Sequence, residues 1–212
     1  MNMNFDFNNP TRILFGSGKL DELGSQPMPG KKALLLMSGG RSAKVSGAYD
    51  RTLEQMEKAG VEIAEFAKVM ENPVKEMVME GAAFARENGC DFIVALGGGA
   101  VLDSAVAIAA MATNPGDLWD YVNGGTGKAQ PLVNPGLPIV TITLTAGTGS
   151  EVNCWGVSSN LETNEKIGFG DPSLVPVLAV CMTLAVNARE TMGGLFLANP
   201  CPMSDEECAG IF

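Results

Sequence analysis

Histidine is absent from this sequence of 212 residues. No imidazole from within the chain can act as a general base or a metal ligand. Basic residues are scarce as well: 14 Lys and Arg stand against 24 Asp and Glu, for a formal charge of −10. A field of that sign disfavours duplex nucleic acid and anionic membranes as partners. No run approaches the roughly 20 apolar residues that cross a bilayer, and the opening MNMNFDFNNPTRILFG lacks a basic segment followed by an apolar one. The cysteines, Cys90, Cys154, Cys181, Cys201 and Cys208, are odd in number and form no CxxC pair. Neither a disulfide framework nor a zinc knuckle is indicated, and a reducing cytoplasm is the expected compartment. Internal repeats and low-complexity tracts are missing too.

What is present is an alternation of two kinds of segment. A short apolar run at 12–15 precedes strand-like KALLLM at 32–37, a helix-like stretch at 49–59, VEIAEF at 61–66, an amphipathic segment at 74–88 stopped by Gly89, and DFIVAL at 91–96. Near-continuous apolar strands alternating with helices predict a parallel sheet covered on both faces. In such sheets ligands bind beyond the carboxyl ends of the strands. A loop rich in Gly, Asn and Pro follows at 123–138, then the strand-and-loop LPIVTITLTAGTGSE, two strands joined near 162–165, and VPVLAV at 175–180.

Two loops carry the chemical signal. IVALGGGAVLDSAVAIA empties a strand through Gly97, Gly98 and Gly99 into a helix. Bare backbone and a helix N-terminus suit a pyrophosphate, but Leu102 takes the last glycine position of GxGxxG and no Walker lysine follows. The motif alone reads equally as a phosphate cradle or as a plain strand-to-helix turn. Asp103 reads either as a charge favoured in a first helical turn or as a carboxylate facing the ligand crevice. The second loop, TLTAGTGSE, offers hydroxyls at Thr145, Thr148 and Ser150 beside Gly147 and Gly149. It serves phosphate and ribose contacts, or an ordinary helix cap.

Five collinear stretches, NPTRILFGSGKLDELG, NPVKE, GGGAVLD, TAGTGSE and EKIGFGDPSLVP, together resemble the iron-containing, group III alcohol dehydrogenases, and within them the butanol dehydrogenase branch. The likeness runs from about Phe5 to Cys181, about five-sixths of the chain. EKIGFGDPSLVP sets the chain apart from the glycerol dehydrogenase and dehydroquinate synthase branch. The resemblance implies a Rossmann-like α/β domain of the dehydroquinate synthase type over 1–181, with a small β-hairpin region. It also implies reversible hydride transfer between a small alcohol or aldehyde and NAD(P). Gly97, Gly98, Gly99 and Ala100 would then hold the pyrophosphate. Thr145, Thr148, Asn153 and Lys166 would line the nicotinamide and ribose side, Asn72 the adenosine side, and Asp103 would belong to the same cofactor site. The stretch MSGGRSAKVSGAYDR resembles a loop that accepts a 2′-phosphate, which points to Gly39, Gly40 and Ser42, with Arg41 and Lys44 nearby. No carboxylate stands there to pair with a ribose 2′-hydroxyl, so NADP is favoured over NAD.

Against the family pattern, Ala100 replaces a serine and Val106 a lysine. From Cys181 onward MTLAVNARETMGGLFLANPCP departs from the usual continuation, so 182–212 is expected to be a divergent remnant at the start of a helical metal-binding domain. Leu197 and Cys201 fall where an aspartate and a histidine would ligate a divalent metal, and further histidine ligands would lie beyond Phe212. The resemblance therefore implies that iron or zinc does not bind this chain and that its own turnover is low or absent. A replacement metal site built from Cys201, Cys208 and the acidic residues between them is disfavoured by the spacing. A non-catalytic nucleotide-binding or interaction protein descended from the family is the alternative. Loss of a covering domain would expose apolar surface and favour a homodimer.

Overall fold

The computed structural model describes residues 8–145 and 147–181. Its centre is a six-stranded sheet formed by β1 (Arg12–Phe15), β2 (Lys32–Ser38), β3 (Glu62–Val69), β4 (Phe92–Gly97), β5 (Ile139–Thr143) and the later strand β8 (Leu178–Cys181). Every pairing is parallel, in the order β1-β8-β5-β4-β2-β3. The central strands are buried on both faces, which is why FIVALG and IVTIT show no polar alternation. A separate antiparallel hairpin joins β6 (Trp155–Asn160) to β7 (Glu165–Gly170).

Two cores lie on opposite faces of the sheet. On one face α1 (Ser42–Val45), α2 (Ala48–Lys58) and a 3-10 turn at Lys19–Ser25 cover Leu35, Met37, Val94, Leu96, Val140 and Val180. On the other, α3 (Lys75–Glu87), α4 (Gly99–Thr113) and α5 (Leu118–Tyr121) cover Leu34, Leu36, Phe66, Ile93 and Ala95. Helix α4 is buried around nearly its whole circumference, packed against β4, α3 and the hairpin. Its alanines permit that crowding: Ala105, Ala107, Ala109 and Ala110 are at most 1% exposed. Each large aliphatic or aromatic side chain fully buried beside them contributes about 1.5–3 kcal/mol.

The expected α/β architecture is observed, with local differences. Strand β3 continues through Val69, which is buried and pairs with Ser38 across a shift in register. Strand β8 starts at Leu178 rather than Val175, because Pro176 has no N–H to donate to the ladder. The 3-10 turn at Lys19–Ser25 and the single-turn helices α1 and α5 have no long periodic pattern to announce them.

Chain direction across the sheet reverses between β2 and β4. From β2 the chain moves outward to β3, whereas from β4 it moves the other way to β5. The connections that leave the carboxyl ends of β2 and β4 therefore run in opposite directions and leave a crevice at this switch point.

Candidate functional site

A cavity of about 630 Å³ fills that crevice. Its walls come from the residues that follow three strands: Ser38 to Ser42 after β2, Val69 to Glu71 at the end of β3, and Gly98 to Val101 after β4. Gly39, Gly40, Ser42, Gly98, Gly99 and Ala100, expected to bind cofactor, are thus brought together, and Arg41 joins them. Met70 and Glu71 escaped the sequence reading. Their signal was positional, since they follow a strand that pairs with β2, and that pairing is visible only once the sheet order is known.

The glycine turn is shaped by what surrounds it. Gly98 caps α4 in extended conformation with no side chain bonded to the helix end, so the backbone itself faces the crevice. A Cβ on Gly97 would lie 2.5 Å from Val101 Cγ2, one on Gly98 would lie 2.8 Å from Thr145 Oγ1, and one on Gly99 would lie 2.6 Å from Thr148 Cγ2. Those separations leave no room for a Cβ unless a neighbour shifts: Gly97 makes space for Val101 of α4, and Gly98 and Gly99 let the second loop close over the first. The two loops are also joined through the backbone, where Leu144 N donates to Gly97 O at 3.0 Å. The backbone at Gly98 to Val101 and the N-terminus of α4 offer donors of the kind a pyrophosphate accepts from, while Gly97, Thr145 and Thr148 stand behind that wall rather than in it. The residues present fit a dinucleotide.

Asp103 stands elsewhere. It lies in the second turn of α4, is 7% exposed, and is not part of the cavity wall. Its Oδ1 accepts from Ser150 Oγ at 2.6 Å and its Oδ2 from Val157 N at 3.1 Å. It ties the second loop and the hairpin to α4, in place of either a first-turn charge or an open carboxylate in the crevice. Val106, at the position where a lysine was expected, is fully buried in the core.

Thr148 Oγ1 accepts from Ser150 N at 3.2 Å, and Asn153 Oδ1 accepts from Trp155 N at 2.7 Å, so both side chains also shape the loop that leads into β6. Lys166 and Asn72, which the resemblance places on different sides of the cofactor, meet in this structure: Lys166 Nζ donates to Asn72 Oδ1 at 2.9 Å. Beside them Glu165 accepts from Thr126 Oγ1 (2.6 Å), Thr126 N (2.8 Å), Thr163 Oγ1 (2.7 Å) and Trp119 Nε1 (2.9 Å). Donation from the Thr126 hydroxyl, then from Thr163 and Trp119, holds its carboxyl down at about 2. No motif marked Glu165, whose partners come from α5, the loop that follows it and the turn of its own hairpin.

Among the described residues no group of three or more His, Cys, Asp or Glu side chains could hold a metal ion. Leu197, Cys201 and Cys208 lie outside the described residues, as does the proposed remnant 182–212. No helix among the described residues is long and apolar enough to cross a membrane.

An open parallel sheet with a glycine turn and a crevice at its switch point defines a Rossmann-like α/β domain of the doubly wound class. Residues 10–183 match the family described as iron-containing alcohol dehydrogenase, and the chain belongs to that family. It is 42% identical over 195 residues to "Probable NADH-dependent butanol dehydrogenase 1" of Bacillus subtilis, covering 91% of this chain and 49% of the relative. It is 35% identical over 179 residues to the NADPH-dependent aldehyde reductase YqhD of Escherichia coli, covering 84% and 44%. Among solved structures, NADH-dependent butanol dehydrogenase A of Thermotoga maritima superposes with a TM-score of 0.77 at 34% identity, covering 84% of this chain and 44% of that one. The chain spans about half the length of the curated relatives it matches.

Proposed function

We propose that this chain binds a nicotinamide dinucleotide in the switch-point cavity and supplies the cofactor-holding half of an alcohol dehydrogenase. The observation that carries this reading is the closure of the Gly98–Gly99 turn against Thr145 and Thr148, which leaves bare backbone and a helix N-terminus at the cavity wall. The backbone amides at the start of α4 would hold the pyrophosphate, and Gly39, Gly40 and Ser42 would receive the adenosine end. Thr145, Thr148, Asn153 and Lys166 would line the path toward the ribose and nicotinamide. A bound nicotinamide ring accepts or delivers the hydride exchanged with the alcohol or aldehyde carbon. This chain's own contribution is to orient that cofactor and shield it from water.

The turn after β2 presents Arg41 to the cavity, which favours NADP, and the carboxylate on the wall, Glu71, comes from the end of β3 instead. Its relatives include both NADH- and NADPH-dependent enzymes. Titration of the purified protein with NADPH and NADH, followed by cofactor fluorescence and competed with ADP-ribose, tests the assignment. Saturable binding displaced by ADP-ribose is expected, and its absence for both cofactors would overturn the reading.

Turnover by this chain alone is proposed to be very low, because Leu197 and Cys201 stand where the resemblance places metal ligands. Adding Fe²⁺ or Zn²⁺ with NADPH and butanal should give no metal-dependent oxidation. Turnover near that of a full-length relative would refute this.

A further inference from the structure

The segment that follows the cavity wall is bound to the hairpin residue by residue. Immediately after Glu71, Asn72 accepts from Lys166 Nζ at 2.9 Å. Pro73 O accepts from Ser159 N at 2.8 Å, and Val74 forms a parallel bridge with Ser159. Lys75 Nζ then donates to Glu162 Oε2 at 2.9 Å. Lys75 also stands 3.5 Å from Asp117 Oδ2, so one ammonium joins the hairpin turn to the cap of α5.

The circuit closes on itself. Asp117 Oδ1 accepts from Trp119 N at 2.8 Å, and Trp119 Nε1 donates at 2.9 Å to Glu165, the residue before Lys166. Lys75 is the cation that meets both carboxylates, and its side chain is 12% exposed, far less than that of Glu162 at 74% or Asp117 at 43%. Partial withdrawal from water strengthens its attraction to both carboxylates. Its position in the first turn of α3 opposes the helix dipole, so the local helix gains nothing from it. The compensation comes from outside the helix, through the two acidic partners.

We propose that Lys75 is a positioning residue for the dinucleotide cavity, clamping the β6–β7 hairpin to the segment Asn72–Val74 and thereby holding both the Val69–Glu71 wall and Lys166 in place. The proposal rests on the reading of the cavity as a dinucleotide site. Lys75 does not line the cavity; it acts through Asn72 and Lys166.

Two measurements on the full chain test it. Without cofactor, hydrogen exchange in Lys75→Met should accelerate at the Ser159 amide, which the clamp holds, and stay unchanged at the Val157 amide, which Asp103 holds independently. With cofactor, Lys75→Met should bind NADPH about fivefold more weakly while Lys75→Arg binds nearly as the unmodified protein does. Equal exchange at Ser159 in the variant and the parent overturns the clamp. Parallel acceleration at Ser159 and Val157 assigns Lys75 to general stability and overturns it as well. If the parent protein binds no dinucleotide, the functional reading fails while the exchange experiment still decides the clamp. Unchanged affinity in Lys75→Met despite faster exchange at Ser159 overturns the positioning role alone.

Discussion

Ser150 Oγ donates to Asp103 Oδ1 at 2.6 Å, with both side chains buried and 47 residues apart in sequence. This bond fastens the second small-residue loop to the helix that begins at the first, and the other Asp103 oxygen fastens the hairpin. Asp103→Ala would strand the Ser150 hydroxyl and the Val157 amide together. A loss of about 2–3 kcal/mol in urea unfolding is expected, against about 1 kcal/mol for Ser150→Ala. Equal losses in the two variants would contradict the shared-anchor arrangement.

Gly99→Ala places a methyl group 2.6 Å from Thr148 Cγ2. Forcing the two loops apart should cost about 1–3 kcal/mol and weaken dinucleotide binding about tenfold. Thr148→Ser removes the offending methyl, so the double variant should regain most of the stability lost by Gly99→Ala. Differential scanning calorimetry of the single and double variants reads this directly, and additive losses would count against loop-to-loop packing as the reason for glycine.

Glu165 carries a carboxyl held at about 2 against an ordinary 4.5, chiefly by hydroxyl and indole donors. Its folded value lies below the unfolded one, so the stabilisation is complete above about pH 4.5 and is lost as the pH falls toward 2. Glu165→Gln should lower Tm at neutral pH and flatten the decline across that acid window. A variant whose Tm keeps the parent's slope there would show that another group dominates acid unfolding.

Arg41 faces the cavity from the turn after β2. If it meets a 2′-phosphate, Arg41→Ala should weaken NADPH binding about tenfold and leave NADH binding nearly unchanged, with added salt narrowing the difference. Isothermal titration with both cofactors checks this. Equal effects on the two would leave Arg41 as a general surface charge.

Much of the site could be anticipated from local pattern. Gly97 to Gly99 follow an unmistakable apolar strand, and TAGTGSE follows another, so each loop falls at a strand end whatever the strand order. The bonds of Asp103 were not legible for a physical reason: a carboxylate near a helix start satisfies the same local pattern whether it faces a ligand or accepts from a distant serine. Glu165, Lys75 and the Asn72–Lys166 pair were illegible as a network, because each bond joins residues at least 39 apart, with the single exception of Thr163 to Glu165.

Apolar blocks of strand length, helical periodicity and glycine punctuation determined the parallel α/β class and the existence of two small-residue loops, since those signals depend only on neighbouring residues. Tertiary structure decided that β2 and β4 lie side by side with their connections diverging, that Gly99 packs on Thr148, and that the hairpin is bound to the segment after β3. Those relationships depend on which buried strands pair, and continuous hydrophobicity leaves that choice to the packing of the whole sheet.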